Sequence, residues 1–188
     1  MTKWSTRLIE ELHASDRRAL DLARGLTAAQ INWRPSEGAW SVGQCLHHLL
    51  VSNNVYLPPI EAALHGQAPS PVQDITPGWF GRYFIRTYIE ASSRGRRRAP
   101  GKIAPAQQVD PSVIDQFVKS NDLARDLVRR ASAYDVNRIR FRNPFVPLIR
   151  FTVGTGFEIV SHHQRRHLLQ AERVRQAAGS IRTSGVVS

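Results

Sequence analysis

A chain of 188 residues is long enough for one domain with a sizeable core. Its 41% hydrophobic and 22% charged content is ordinary for a soluble globular protein, and it has no run of about 18 apolar residues that would span a membrane. The single cysteine, Cys45, excludes an internal disulfide and a cysteine-rich zinc site.

The opening stretch "MTKWSTRLIEELHASDRR" carries charges throughout and no apolar signal core, so cytoplasmic residence is the expectation. The formal charge is +11, from 26 Lys and Arg against 15 Asp and Glu, which raises the question of a polyanionic partner. Much of the excess lies in "RGRRRAPGK" (Arg94 to Lys102) and "NRIRFRN" (Asn137 to Asn143). No zinc-finger, RRM or KH signature accompanies these runs, so nucleic acid is the disfavoured partner.

In chain order, Leu8, Leu12, Ala19, Leu22 and Leu26 recur at helical spacing and predict a first helix over about 3–25. "TAAQ" (Thr27 to Gln30) is a capping box for a short turn, and "SVGQ" (Ser41 to Gln44) is a second one for a longer helix. That helix runs to about Tyr56, where Pro58 and Pro59 are expected to kink or restart it before Gly66. "TPGWF" predicts a third helix with Thr76 as N-cap and Pro77 at the first helical position; Phe80, Phe84 and Tyr88 supply one face.

Residues 92–109 read as a basic loop. Asp110-Pro111 then opens a fourth helix with the stripe Val113, Phe117, Asn121, Ala124 and Val128. After a loop over 135–150, a fifth helix is expected from about Thr152 to Ala178, and residues 179–188 as a flexible tail. The only strand candidate is "RIRFR" (Arg138 to Arg142), for which no partner strand is evident. The expected fold is therefore all-α: a single four-helix-bundle domain over 1–178, with additional short helices and long loops.

Three of the seven histidines crowd into "SHHQRRHLLQ" (Ser161 to Gln170). On a helical wheel Val153, Val160, Ala171 and Val174 mark the inward side. His163 and His167 stand i, i+4 at its margin, whereas His162 falls opposite with Arg165, Arg166 and Arg173. An i, i+4 pair of imidazoles can chelate one divalent cation from a single helix, but inward histidines are also ordinary hydrogen-bonded core residues. A third ligand would come from His47 or His48, and the wheel does not choose between them.

Two motifs carry a family resemblance: "WSVGQCLHHL" (Trp40 to Leu49) and "HQRRHLLQ" (His163 to Gln170). With "APGKIAP", "NPFVPL" and "GTGFEIVSHHQRRHLLQAERV" between and around them, the chain resembles the DinB-like (DinB/YfiT) metal-enzyme family over nearly its whole length. The resemblance implies a bundle of four main helices with a metal held between them near one end. It also implies His48, His163 and His167 as the metal ligands and leaves His47 out.

Three neutral histidines leave a coordination position open, as in a catalytic rather than a closed structural site. Imidazole ligands suit Zn, Ni, Cu and Fe alike, with Zn or Ni the first expectation. Gln170 lies one turn on, either orienting a ligand or serving as a polar residue at the helix margin. Asn121 either lines the pocket or is a satisfied core amide. Glu158 and Glu172 project away from the histidines, so no general base is assigned.

Some relatives resemble thiol-dependent S-transferases and others hydrolases, so a small-molecule substrate, such as a low-molecular-weight thiol, is implied. The alternatives are a non-catalytic, stress-associated metal-binding module and a nucleic-acid binder using the basic loops. Family members also resemble homodimers, and Trp33, Trp79 and Phe145 lie in or beside loops that a partner would cover.

Overall fold

The computed structural model describes residues 1–90, 99–146 and 148–184, with side chains up to 179. Four long helices form a bundle: α1 (Lys3–Ala23), α3 (Val42–Leu64), α5 (Val113–Ala131) and α6 (Val153–Ser184). Between them lie the short α2 (Ala28–Ile31) and α4 (Trp79–Phe84), a π-helical segment (Ile85–Glu90) and a 3-10 turn (Gly101–Ile103). α1 and α3 each pack against both α5 and α6 and barely touch one another, so they stand diagonally across the bundle.

The expected stripes are the buried ones. Leu8, Leu12, Ala19 and Leu22 of α1 face inward, as do Val113, Phe117, Asn121, Ala124 and Val128 of α5. Both capping boxes form. Ser41 Oγ accepts the Gln44 N–H at 3.0 Å while Gln44 Oε1 accepts the Ser41 N–H at 3.1 Å. Thr27 and Gln30 do the same for α2.

Four details differ from expectation. α3 does not restart at Pro58 and Pro59 but runs through both. Two amide donors are lost, yet Asn54 and Pro58 are exposed, so the first freed carbonyl faces water, while Tyr56, Leu57, Ile60 and Leu64 hold the opposite face in the core. The third helix starts two residues later than predicted, at Trp79 with Gly78 as N-cap, so Thr76 does not cap it. The Thr76 N–H goes instead to Asn137 Oδ1 at 2.8 Å.

The third difference is a partner for the strand candidate. β1 (Arg140–Arg142) pairs antiparallel with β2 (Arg150–Thr152), Phe141 opposite Phe151. Three residues per strand are too few to show alternation in sequence. Finally, α6 continues to Ser184, six residues beyond Ala178. Residues 185–188 and Arg94 to Arg98 lie outside the described residues, so the expectations for the end of the tail and for most of the first basic run fall outside them too. Among the described residues, no helix is long and apolar enough to cross a membrane.

The core has two apolar clusters. One gathers Trp4, Leu8, Leu12, Tyr56, Ile60, Leu127, Phe157 and Val160; the other gathers Ala19, Leu22, Leu46, Leu49, Phe117, Leu168 and Ala171. In each long helix the break between clusters is filled by buried polar side chains: Asp16 in α1, Asn53 in α3, Ser120, Asn121 and Arg125 in α5, Gln164 in α6. They bond to one another. Asn121 Nδ2 donates to Asp16 Oδ1 (2.6 Å), Arg125 to Asp16 Oδ2 (2.5 Å), and Asn53 Nδ2 to Ser120 Oγ and Asn121 Oδ1 (both 2.9 Å). Gln164 Nε2 donates to Asn121 Oδ1 at 2.7 Å. Asn121 is thus a hydrogen-bonded core amide at the centre of a belt joining all four helices.

Two close approaches set the packing around this belt. A Cβ on Gly43 would meet Ile31 Cγ2 at 2.6 Å, and one on Gly156 would meet Phe141 at 2.7 Å and Ile60 at 2.9 Å. Gly156→Ala is expected to cost about 1–3 kcal/mol by overpacking, read as a lower urea midpoint with an unchanged slope. Arg125→Met should cost more, about 3–5 kcal/mol, because it strands the buried Asp16 carboxylate. Adding Asp16→Asn should recover much of the loss; a double variant as unstable as the single would show that Arg125 acts through packing alone.

Candidate metal centre

α3 and α6 run antiparallel and in contact, which brings His48 opposite His163 and His167 despite more than a hundred residues of intervening chain. One ligand nitrogen from each of the three lies within 4.8 Å of the others. His48 and His167 are buried and His163 is half-buried. The ring centroids are 4.5–4.8 Å apart in edge-on arrangements.

The outer nitrogens of two rings are held. His48 Nδ1–H donates to the Ile103 carbonyl at 2.6 Å, and His167 Nδ1–H donates to Gln170 Oε1 at 2.9 Å, a tautomer assignment set by these acceptors. This leaves Nε2 of each facing inward as a lone-pair donor. His48 Nε2 and His163 Nε2 approach to 3.0 Å. Two nitrogens about 2.0–2.1 Å from one ion stand about 3.0–3.4 Å apart, so this donor set fits a transition-metal ion.

The electrostatics favour the neutral, ligating form. Burial lowers the His48 pKa to about 4 and the His167 pKa to about 3, and drives His163 well below its ordinary value. The neighbouring rings add to the effect at His163 and His167, and the Arg166 guanidinium adds to it at all three. No carboxylate joins the cluster among the described residues.

Other side chains complete the surroundings. Trp40, half-buried, packs its ring 4.8 Å from His48 and 5.5 Å from His167. Arg166 donates to the Tyr88 and Ile89 carbonyls, tying the π-helical segment to α6 beside the histidines. His47 lies outside the cluster, accepting the Ala106 N–H at 3.3 Å. His162 also lies outside, bridging toward Glu90 at 2.7 Å and Glu158 at 3.6 Å. Glu158 pairs with Arg7, and Glu172 with Arg18.

Sequence reasoning placed the three histidines and Gln170 but gave no role to Trp40, Ile103 or Arg166. Trp40 and Arg166 sit inside the two quoted motifs. Arg166 was placed on the outer face because the wheel follows Cα direction, and a long guanidinium reaches round it. Ile103 contributes only a carbonyl, which no side-chain pattern reveals.

A helical bundle with a buried three-histidine cluster between two of its helices defines the class of the protein. The chain belongs to the DinB superfamily, whose family model matches residues 11–171. No curated protein matches it. Among solved structures it is similar to YfiT from Bacillus subtilis, described as "a probable metal-dependent hydrolase with an unusual four-helix bundle topology". The two are 16% identical, the match covers 93% of this chain and 87% of that one, and the TM-score is 0.61.

The depressed pKa values fix a pH window for the metal-free protein. The unfolded histidines titrate near about 6.5, so below that pH the unfolded chain takes up protons that the buried rings refuse. The contribution is fully present above about pH 6.5 and is lost as pH falls toward the folded value of about 4 for His48. With chelator present, the urea midpoint should drop from pH 7 to pH 5 by more in the wild type than in His48→Gln. Equal drops would contradict this account.

Proposed function

We propose that His48, His163 and His167 hold one divalent transition metal, zinc or nickel first, in an open site of a metal-dependent enzyme. The observation that carries this reading is the pair of held Nδ1–H groups, which turns inward-facing Nε2 atoms onto one point from two different helices. Core histidines without a metal role have no need for three convergent lone pairs.

A bound divalent ion supplies Lewis acidity that keeps water or a small thiol anionic near neutral pH. The chain's own groups prepare the site for that chemistry. Ile103 and Gln170 hold two tautomers, Trp40 covers ring faces and limits water, and Arg166 adds a positive field that favours an anionic reactant. With no carboxylate in the cluster among the described residues, no cluster side chain serves as a strong general base.

Hydrolysis is the first reading, in keeping with what is said of YfiT. Transfer to a low-molecular-weight thiol is the second, favoured by the cationic surroundings. We place the enzyme in the cytoplasm, with a small-molecule substrate. A homodimer belongs to the same proposal: Trp79 is 75% exposed with Tyr83 one turn on, an aromatic face such a pairing would cover.

Elemental analysis of untagged protein should find about one zinc or nickel ion per chain. His163→Ala should abolish it and His162→Ala should leave it intact; if both behave alike, the ligand set is wrong. At free metal about 100 times its dissociation constant, binding should add roughly 2.7 kcal/mol of stability. Chelation should then lower the melting temperature modestly with the helical signal retained, since two apolar clusters already supply the core. Turnover of activated esters without thiol supports hydrolysis; turnover of an electrophile only with added thiol supports transfer. Unfolding at room temperature on chelation would make the metal structural and remove the support for catalysis.

A further inference from the structure

The second basic run of the sequence, Asn137 to Asn143, takes no part in the metal centre and contains β1. Strand alternation turns Phe141 and Phe151 into the core and leaves Arg140, Arg142 and Arg150 exposed on the outer face of the hairpin. Arg142 stands directly opposite Arg150, and Arg140 is the next outward residue on β1. Directly opposed residues have Cβ atoms about 4.5–5.5 Å apart, where like charges are destabilising. Other arginines of the chain have carboxylate partners: Arg7 with Glu158, Arg18 with Glu172, Arg125 with Asp16 and Arg130 with Glu61. Among the described residues, no carboxylate pairs with Arg140, Arg142 or Arg150. Three guanidinium groups on one face of two short strands, with no internal counter-charge, fit an anionic surface brought from outside.

The loop that closes the hairpin adds an apolar feature. Its backbone is held: Asn143 Oδ1 accepts the Phe145 N–H at 2.7 Å and the Val146 N–H at 3.1 Å, and the Ile149 N–H donates to the Val146 carbonyl at 2.9 Å. Phe145 and Ile149 pack against the core. Leu148 of the same turn is 97% exposed, and Val146 is exposed beside it. Turn positions ordinarily carry Gly, Pro, Asn, Asp or Ser, so a hydrogen-bonded turn that presents a leucine to water needs a reason. Cations border it. Arg142 and Arg150 are the strand residues next to the loop, and Lys102 Nζ donates to the Pro144 carbonyl at 3.2 Å.

The two features together choose the partner. A nucleic-acid duplex would engage the arginines through its phosphates but would set the same charged backbone against Leu148. A small anion would leave the leucine without a role. An anionic bilayer meets both, with phosphate oxygens for the guanidinium groups and the headgroup–acyl boundary for the apolar tip. We propose that the β1–β2 hairpin docks the protein peripherally on an anionic membrane surface, with Arg140, Arg142 and Arg150 on lipid phosphates and Leu148 and Val146 in the boundary layer. The docking requires no metal and is independent of the reaction.

The test is co-sedimentation of the full chain with vesicles of phosphatidylcholine and phosphatidylglycerol, against vesicles of phosphatidylcholine alone. The wild type should bind the mixed vesicles, not the neutral ones, and more weakly as salt is raised. Replacing Arg140, Arg142 and Arg150 together by Gln should lower partitioning on the order of a hundredfold, at about fivefold per arginine. The same loss of charge at the exposed Arg17, Arg34 and Arg173 should lower it by about tenfold or less. Leu148→Ser leaves the charge intact and should cost on the order of tenfold; it also serves if the triple variant does not fold. No binding to mixed vesicles would overturn the proposal. So would equal losses in the two triple variants, which would make the net charge of the whole molecule responsible. Leu148→Ser without effect, together with tighter binding of a DNA duplex than of mixed vesicles, would assign the arginine face to nucleic acid instead.

Discussion

The buried contact between Asp16, Arg125 and Asn121 is the constraint on which the bundle depends. Asp16 and Arg125 are 7% and 3% exposed, and a charge pair taken that far from water is tolerable only when its remaining donors and acceptors are also satisfied. Asn121 Nδ2 donates to the other Asp16 oxygen and Asp122 accepts from the second Arg125 nitrogen, while Gln164 of α6 and Asn53 of α3 donate in turn to Asn121 Oδ1. The apolar clusters on either side would tolerate a helix sliding or rotating by a fraction of a turn. The polar belt does not, because each such movement leaves a buried donor or acceptor unpaired.

That rigidity is what the histidine cluster needs. Gln164 follows His163 directly in α6, and Asn53 lies five residues after His48 in α3. The amide bonds that fix the register of the belt therefore also fix how the two histidine-bearing helices face each other. Convergence of three nitrogens requires alignment to a fraction of an ångström, and a purely apolar interface between α3 and α6 would not specify it.

The irregular segments act from outside. The 3-10 turn delivers the Ile103 carbonyl to His48, Gln44 of the capping box donates to the Ala106 carbonyl of the same stretch, and Arg166 holds the π-helical segment by its carbonyls. These connections orient rings and wall the site while adding little to the core. Chemical variation in such a fold is free to reside in these segments and in the β1–β2 loop, with the four helices as a constant frame.

By itself the sequence determined the helices, since apolar residues at a 3.6-residue period and two S/T-x-x-Q caps are local signals. It determined the inward pair His163 and His167 for the same reason: both sit on one helix, so periodicity alone relates them. Tertiary structure decided what depends on distant residues meeting. The wheel left His47 and His48 equal; the motif resemblance pointed to His48, and the physical reason lies in the packing of α3 against α6 and the Ile103 carbonyl. Asp16 interrupts the first apolar stripe and Asn121 the fourth, visible in sequence as gaps, but that each gap fills the other required the bundle. The hairpin strands, three residues each, left no periodic trace, because short non-local contacts carry no pattern along the chain.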